Sequence, residues 1–267
     1  MGNETMDHLA VGRYWDENAD VWTRLAREGY DVYRDYLNTP AFLEMLPAVR
    51  GLHGVDVGCG EAENTRRLAR LGARMSAFDI SETFVRHAMA EECREPVGIR
   101  FVRASAVELP FGSDTFDFAT AFMCMMDMPE CDAALAEVRR VVRPGGFFQF
   151  SISHPCTDTP HRRNLRGERG QTYALEIGQY FARAPARVDT WLFGAAPASV
   201  KAALRPFRVP RFHRTLSSWL NAVVSAGWTI ERVAEPTASD EVVDSCPHLQ
   251  DTQVAPFFLH VRCRKAG

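Results

Sequence analysis

Val55-Asp56-Val57-Gly58-Cys59-Gly60-Glu61-Ala62 decides the fold. His53 to Val57 reads as a short apolar strand that runs directly into glycines. Glycine lets the backbone at such a turn approach a ligand closely. Glu63 to Leu71 reads as the following helix, closed by Gly72, and its first turn offers free N–H groups to a carboxylate. Many nucleotide-binding folds use a turn of this kind, so the segment alone fixes a class of architecture and leaves the ligand open.

Working outward, the strand–helix alternation repeats. Ala73 to Phe78 is a second strand ending at Asp79, and Ser81 caps a helix through Ala90. Ile99 to Ala104 and Phe116 to Phe122 are a third and fourth strand. Ala133 to Val142 is a helix stopped by Pro144-Gly145-Gly146, and Phe147 to Ile152 is a fifth strand. This spacing predicts a parallel sheet with right-handed crossovers. Residues 155–212, rich in Arg, Pro and Gly, break the pattern and read as an insertion over the ligand edge. Order resumes with a helix at Leu216 to Ala226 and strands at Thr229 to Val233 and Phe257 to Arg264, with a loop between them. Upstream, residues 8–47 read as helical, with Trp15, Ala19, Trp22, Leu25 and Ala26 at three- and four-residue steps. A second short helix runs from about Ala41 to Leu46. The expected organisation is a helical cap over 1–48, a core over 49–154 and 213–267, and a substrate cap over 155–212.

Asp79 stands 19 residues after Gly60, where a carboxylate can accept two hydrogen bonds from ribose hydroxyls. Dinucleotide-binding domains share this logic, but their G-x-G-x-x-G fingerprint needs a third glycine where this chain has Glu63. A long acid near a pyrophosphate is unfavourable, which argues against a nicotinamide-dependent oxidoreductase. A ligand without phosphates meets no such obstacle.

Two further segments complete an ordered set: Arg103-Ala104-Ser105-Ala106-Val107-Glu108-Leu109-Pro110-Phe111 followed by Phe116-Asp117-Phe118, and Glu137-Val138-Arg139-Arg140-Val141-Val142-Arg143-Pro144-Gly145-Gly146. Over about residues 50–152 the chain resembles the class I S-adenosylmethionine-dependent methyltransferases of the small-molecule "methyltransferase domain 11/25" type. The flanks Asn38-Thr39-Pro40-Ala41-Phe42, Ser151-Ile152-Ser153-His154-Pro155-Cys156 and Phe212-His213-Arg214-Thr215-Leu216-Ser217 are similar to a bacterial subgroup of it. The resemblance implies an α/β, Rossmann-like sheet of seven mostly parallel strands, helices on both faces and the last strand antiparallel. It implies S-adenosylmethionine as cofactor and S-adenosylhomocysteine as product. By it, Asp56, Gly58 and Gly60 hold the methionine end, Asp79 binds the ribose and Ile80 packs on adenine. Ser105 and Ala106 sit at the adenine edge, and Phe122 and Met123 offer backbone contacts to the methionine moiety. Ser105 stands where the family often has Asp, and Ala62 where it has a third glycine.

Ligands of open parallel sheets bind at the carboxyl ends of strands. His154, just past the fifth strand, and His213, before the late helix, are therefore candidates for a general base, or else cap backbone groups at a loop. Asp127, an acid at the end of the fourth strand, either has a substrate or catalytic role or caps the next helix. Tyr180, Phe181, Trp191 and Phe193 are candidate pocket aromatics in the insertion. Tyr14, Trp15, Trp22, Tyr30 and Tyr33 fit helix core, with one or two able to cover a sulfonium. The basic run His161 to Arg169 is a solvated loop or an anion contact.

Composition bounds the rest. Of 267 residues, 46% are hydrophobic and 24% charged, enough apolar material for a core. The net charge of -3 argues against a dedicated nucleic-acid surface. Seven scattered cysteines without C-x-x-C fit a cytoplasmic, reduced protein without a metal site. No apolar run approaches about 18 residues and no signal-peptide pattern is seen, so no membrane association is expected. Methyl transfer to O, N or C of a small molecule is the reading adopted. The alternative keeps fold and cofactor but only binds, or does other chemistry. Monomer and homodimer both remain open.

Overall fold

The computed structural model describes residues 6–182 and 186–267. Residues 1–5 of the expected cap and 183–185 of the expected insertion lie outside them. The central sheet is built from β1 (His53–Val57), β2 (Arg74–Asp79), β3 (Arg100–Arg103), β4 (Phe116–Phe122) and β5 (Val142–Ser153). Helices α3 (Glu63–Arg70), α4 (Glu82–Arg94) and α5 (Cys131–Val141) connect them, after α1 (His8–Arg27) and α2 (Thr39–Met45). The chain closes with α7 (Leu216–Ser225), β10 (Trp228–Ala234) and β11 (Phe258–Lys265). Strand order is β10-β11-β5-β4-β1-β2-β3. β1 to β5 run parallel, and β11 is antiparallel to both β5 and β10. This is the expected α/β class.

Alternation along the strands makes two apolar layers. Val55, Val57, Ala119, Ala121, Phe148 and Phe150 face Leu135 and Val138 of α5 and Trp219 and Val223 of α7. Met75, Ala77, Phe118 and Phe147 face the other way, against Leu68 of α3. Each fully buried large side chain contributes about 1.5–3 kcal/mol, so these layers hold the sheet. The chain leaves β1 towards β2 and β3, then returns to place β4 on β1's other side. The crevice where direction reverses, at the carboxyl ends of β1 and β4, is where such sheets bind ligands.

Several boundaries differ from expectation for definable reasons. The first helix stops at Arg27, because Gly29 takes φ +83° and lets Tyr30 N–H bond Leu25 C=O. A π-helical turn, Arg34–Asn38, then leads into α2. α5 already ends at Val141, ahead of the expected stop, and Pro144-Gly145-Gly146 lie inside β5, which starts at Val142 and has a register shift opposite Phe116 and Phe118. The insertion is not a plain loop. It forms hairpins β6 (His161–Arg166)/β7 (Thr172–Gly178) and β8 (Arg187–Trp191)/β9 (Phe207–Arg211), with α6 (Ala198–Ala202) between β8 and β9. The expected loop between β10 and β11 holds α8 (Asp240–Ser245) and a 3-10 turn, Pro247–Gln253.

These additions close over the crevice. Asn18 of α1 exchanges two hydrogen bonds with the backbone of Arg208 in β9, at 2.9 and 3.0 Å. Trp22 packs on Phe193 and Phe207, with centroids 4.9 and 4.8 Å away. Val32 and Leu37 pack with Ala238, Leu249 and Phe258, and buried Asn38 meets His260 Nε2 at 2.6 Å. The N-terminal segment is therefore tied to the insertion on one side and to the β10–β11 connection on the other.

Candidate active site

The turn after β1 carries Gly58 at φ +62° and Gly60 at φ +55°. A Cβ on Gly58 would lie 2.8 Å from Cys124 Cβ and Sγ, so this residue must be glycine for the β1 and β4 loops to meet. Gly60 has open space where a Cβ would point. Asp79, at the tip of β2, fastens the turn: its Oδ2 accepts from Gly60 N–H and its Oδ1 from Ser81 N–H, both at 2.9 Å. Burial pushes its carboxyl up to about 6, against the pull of those backbone N–H groups. Asp56 lies beneath, 1% exposed. Its Oδ1 accepts from the Thr120 hydroxyl at 2.7 Å and its Oδ2 from that of Thr65. Burial pushes it up to about 6 as well. With both oxygens bonded, Asp56 braces the turn.

Above this floor lies a cavity of about 730 Å³, within the range of small-molecule sites. Gly58, Gly60, Asp79 and Ile80 form its wall at one end, with Ser105 and Ala106 beside them. Phe122 and Met123 line it at the end of β4. Met123 takes φ +54° and donates its N–H to Ser151 C=O, so the backbone turns sharply there. The structure thus brings together every residue expected around the cofactor, and Asp56 with them. A glycine turn that opens onto a cavity, next to a carboxylate at a strand tip, has the chemistry to hold an amino-acid moiety and a ribose diol.

The residues expected to face an acceptor are only partly brought together. Asp127 and Trp191 line the cavity. His154, His213 and Tyr180 are not on its wall. His154 is 1% exposed; Nε2 meets Glu235 Oε1 at 2.7 Å and Nδ1 accepts from Cys156 N–H. Burial holds its imidazole below the usual histidine range, although Glu235 pulls the other way. His213 faces two carbonyls, Asp158 O at 3.0 Å and Tyr180 O at 2.7 Å, and Tyr180's hydroxyl accepts from Leu216 N–H. These rings anchor the insertion to the core.

Other wall residues, apart from Arg162 of the basic run and Tyr33, escaped sequence reasoning. Arg34, in the π-helical turn, reaches Glu61 at 3.0 Å and Asp35 at 2.9 Å. Asp31 beside it is pushed up to about 6 by burial. Arg162 lies 4.3 Å over Phe257, whose other neighbour is the stacked ring of Tyr33. Asp158, Arg187, Asp189 and Arg211 also line the cavity. They span many residues of chain with no common spacing, so no sequence signal joins them. Among the described residues no helix is long and apolar enough to cross a membrane.

A family model described as a methyltransferase domain matches residues 55–150. The chain is 32% identical over 170 residues to the O-methyltransferase cnsE of Penicillium expansum, covering 56% of this chain and 61% of that protein. It is 32% identical over 110 residues to a demethylmenaquinone methyltransferase of Bacillus subtilis, covering 39% of this chain and 46% of that one. It thus spans about half the length of these curated relatives. A solved S-adenosylmethionine-dependent methyltransferase from Mesorhizobium loti superposes with a TM-score of 0.68 at 28% identity, over 85% of this chain and 96% of that one. Its sheet order and glycine turn, with the methyltransferase-domain match over residues 55–150 and this superposition, make the chain similar in fold to the class I S-adenosylmethionine-dependent methyltransferases.

Proposed function

We propose that this protein transfers the methyl group of S-adenosylmethionine to a small molecule enclosed between the sheet and its two caps. The observation that carries this reading is Asp79, a buried carboxylate at the tip of β2 whose two backbone bonds hold the glycine turn open onto the cavity. When bound, the cofactor supplies an electrophilic methyl on a sulfonium sulfur. Asp79 would take the ribose hydroxyls, and Ile80, Ser105 and Ala106 the adenine. Gly58, Gly60, Phe122 and Met123 would flank the methionine end, with Asp56 bracing the turn from below. Acidic side chains outnumber arginines on the wall, which favours a cationic ligand electrostatically.

The thioether leaves without needing a proton, so positioning and water exclusion do most of the work. The caps supply both: α1, the insertion and the β10–β11 connection cover the crevice, and Trp191 and Asp127 face the acceptor's side. The same enclosure suits a small acceptor better than a polymer, and relatives named for an O-methyl and a demethylmenaquinone reaction fit that scale. Mass spectrometry of ligands carried through purification tests the reading. Retained S-adenosylhomocysteine is expected. A purified protein that neither carries it nor binds it when added would refute the proposal.

A further inference from the structure

Five charged side chains form one row on the cavity wall: Asp127, Arg211, Asp189, Arg187 and Asp158. Asp127 sits in the 3-10 turn Met125–Asp127, just after β4, and is 3% exposed. Its Oδ1 accepts from Arg211 Nη1 at 2.9 Å. Arg211 Nε lies 3.9 Å from Asp189, Arg187 Nε bonds Asp189 at 3.0 Å, and Arg187 Nη2 bonds Asp158 at 3.0 Å. Asp127 Oδ2 has no hydrogen-bond partner among the described residues, and it is not one of the side-chain oxygens sealed away from solvent. A buried carboxylate with one oxygen clamped and the other free at a cavity wall is ready to accept a hydrogen bond from whatever occupies that cavity.

The charges in the row do not cancel. Three carboxylates face two guanidiniums, so the fully ionised row carries one excess negative charge, and a single proton removes it. We infer that Asp127 is the base for the methyl acceptor, taking through Oδ2 the proton of an O–H or N–H group as that group attacks. The inference rests on the methyltransferase reading above. A lone pair on the acceptor oxygen or nitrogen forms the bond to the methyl carbon. The S–C bond breaks with its electrons staying on sulfur, and the acceptor's proton passes to Asp127 and later to water. Arg211 acts through Asp127 as a positioning residue, fixing which oxygen faces the acceptor. Burial, opposed by Arg211 and reinforced by Asp158 and Asp189, pushes the Asp127 carboxyl up to about 7, near the optimum for a base at neutral pH. The ionised form is present above that range and lost as pH falls, so activity declines on the acid side.

The test pairs Asp127→Asn with calorimetric binding of S-adenosylhomocysteine and transfer from tritiated S-adenosylmethionine to two acceptor panels. One panel is protic (catechol, a hydroxyquinone, indole, a primary amine) and the other aprotic (a thioether, a tertiary amine). We expect the wild type to label a protic member with an acid limb in kcat/KM. Asp127→Asn loses about 10²- to 10⁴-fold in kcat together with that limb, and binds S-adenosylhomocysteine within threefold of wild type. In Arg211→Gln the limb moves to higher pH, because a cation next to the carboxylate is gone. A variant Asp127→Asn within threefold in kcat overturns the assignment, as does a wild type that binds S-adenosylhomocysteine but labels no protic acceptor. Failure of the wild type to bind S-adenosylhomocysteine at all instead refutes the methyltransferase reading beneath it.

Discussion

Asp79→Asn separates the bonds by which one carboxylate fastens the glycine turn from its proposed hold on the ribose. In the wild type, Oδ2 takes Gly60 N–H and Oδ1 takes Ser81 N–H, both at 2.9 Å. Asparagine offers one carbonyl oxygen, so its amide nitrogen must face one of those backbone donors. The unpaired donor costs about 1–3 kcal/mol of stability. Loss of the charge also weakens the bonds to the ribose diol, worth about 1.5–3 kcal/mol when the acceptor is charged. That corresponds to roughly 10- to 150-fold in the dissociation constant. The assay is calorimetric titration with S-adenosylhomocysteine at pH 8, beside a thermal melt. A pH series adds an independent check. Burial raises the Asp79 carboxyl to about 6, so wild-type affinity holds above that pH and declines as pH falls through it. In the free protein the linkage has the opposite sign. A raised carboxyl stabilises the fold below the ordinary carboxylate range, and that contribution is lost as pH rises through about 6. Asp79→Asn should lack Asp79's part of both trends. Affinity within threefold of wild type for the variant would refute the ribose assignment.

Two glycines of the turn should respond differently to alanine. Gly58→Ala adds a Cβ 2.8 Å from Cys124 at φ +62° and should cost about 2–4 kcal/mol, whereas Gly60→Ala at φ +55° meets nothing and should cost only about 1–2 kcal/mol while still weakening cofactor binding. Equal losses in melting temperature would contradict the packing described. His154→Ala should lower stability by about 2–3 kcal/mol, through its bonds to Glu235 and Cys156. Its affinity for S-adenosylhomocysteine should stay within twofold, and a weaker affinity with an unchanged melt would return this histidine to the site.

The glycine-turn end of the cavity was legible because it is written in short contiguous runs. A glycine turn after one strand and an acid at the tip of the next need only local geometry, and β1 and β4 fall at their expected bounds. Ala62 is an instructive departure. At φ +70° and fully buried it occupies a backbone state that favours glycine, so the family's glycine there answers a conformational need. The rest of the cavity wall was only partly legible: Asp127 and Trp191 could be named, but Asp158, Asp189 and Arg211 come from separate segments that only the folded insertion aligns. His154 shows a different limit. Its place after β5 was read correctly, but its ring direction is set by Glu235, from an element at the far end of the chain. The hairpin β6/β7 was hidden by its charge: His161 and Arg163 bond Glu176 across the strands, and one-dimensional reading sees only a basic loop.

The central claim, that the crevice at the β1/β4 switch is a site for S-adenosylmethionine, is tested most directly by titrating the purified protein with S-adenosylhomocysteine and, separately, with NADH. One S-adenosylhomocysteine per chain, with no response to NADH, is the predicted result. Saturable NADH binding, or no binding of S-adenosylhomocysteine by a folded protein, would contradict it.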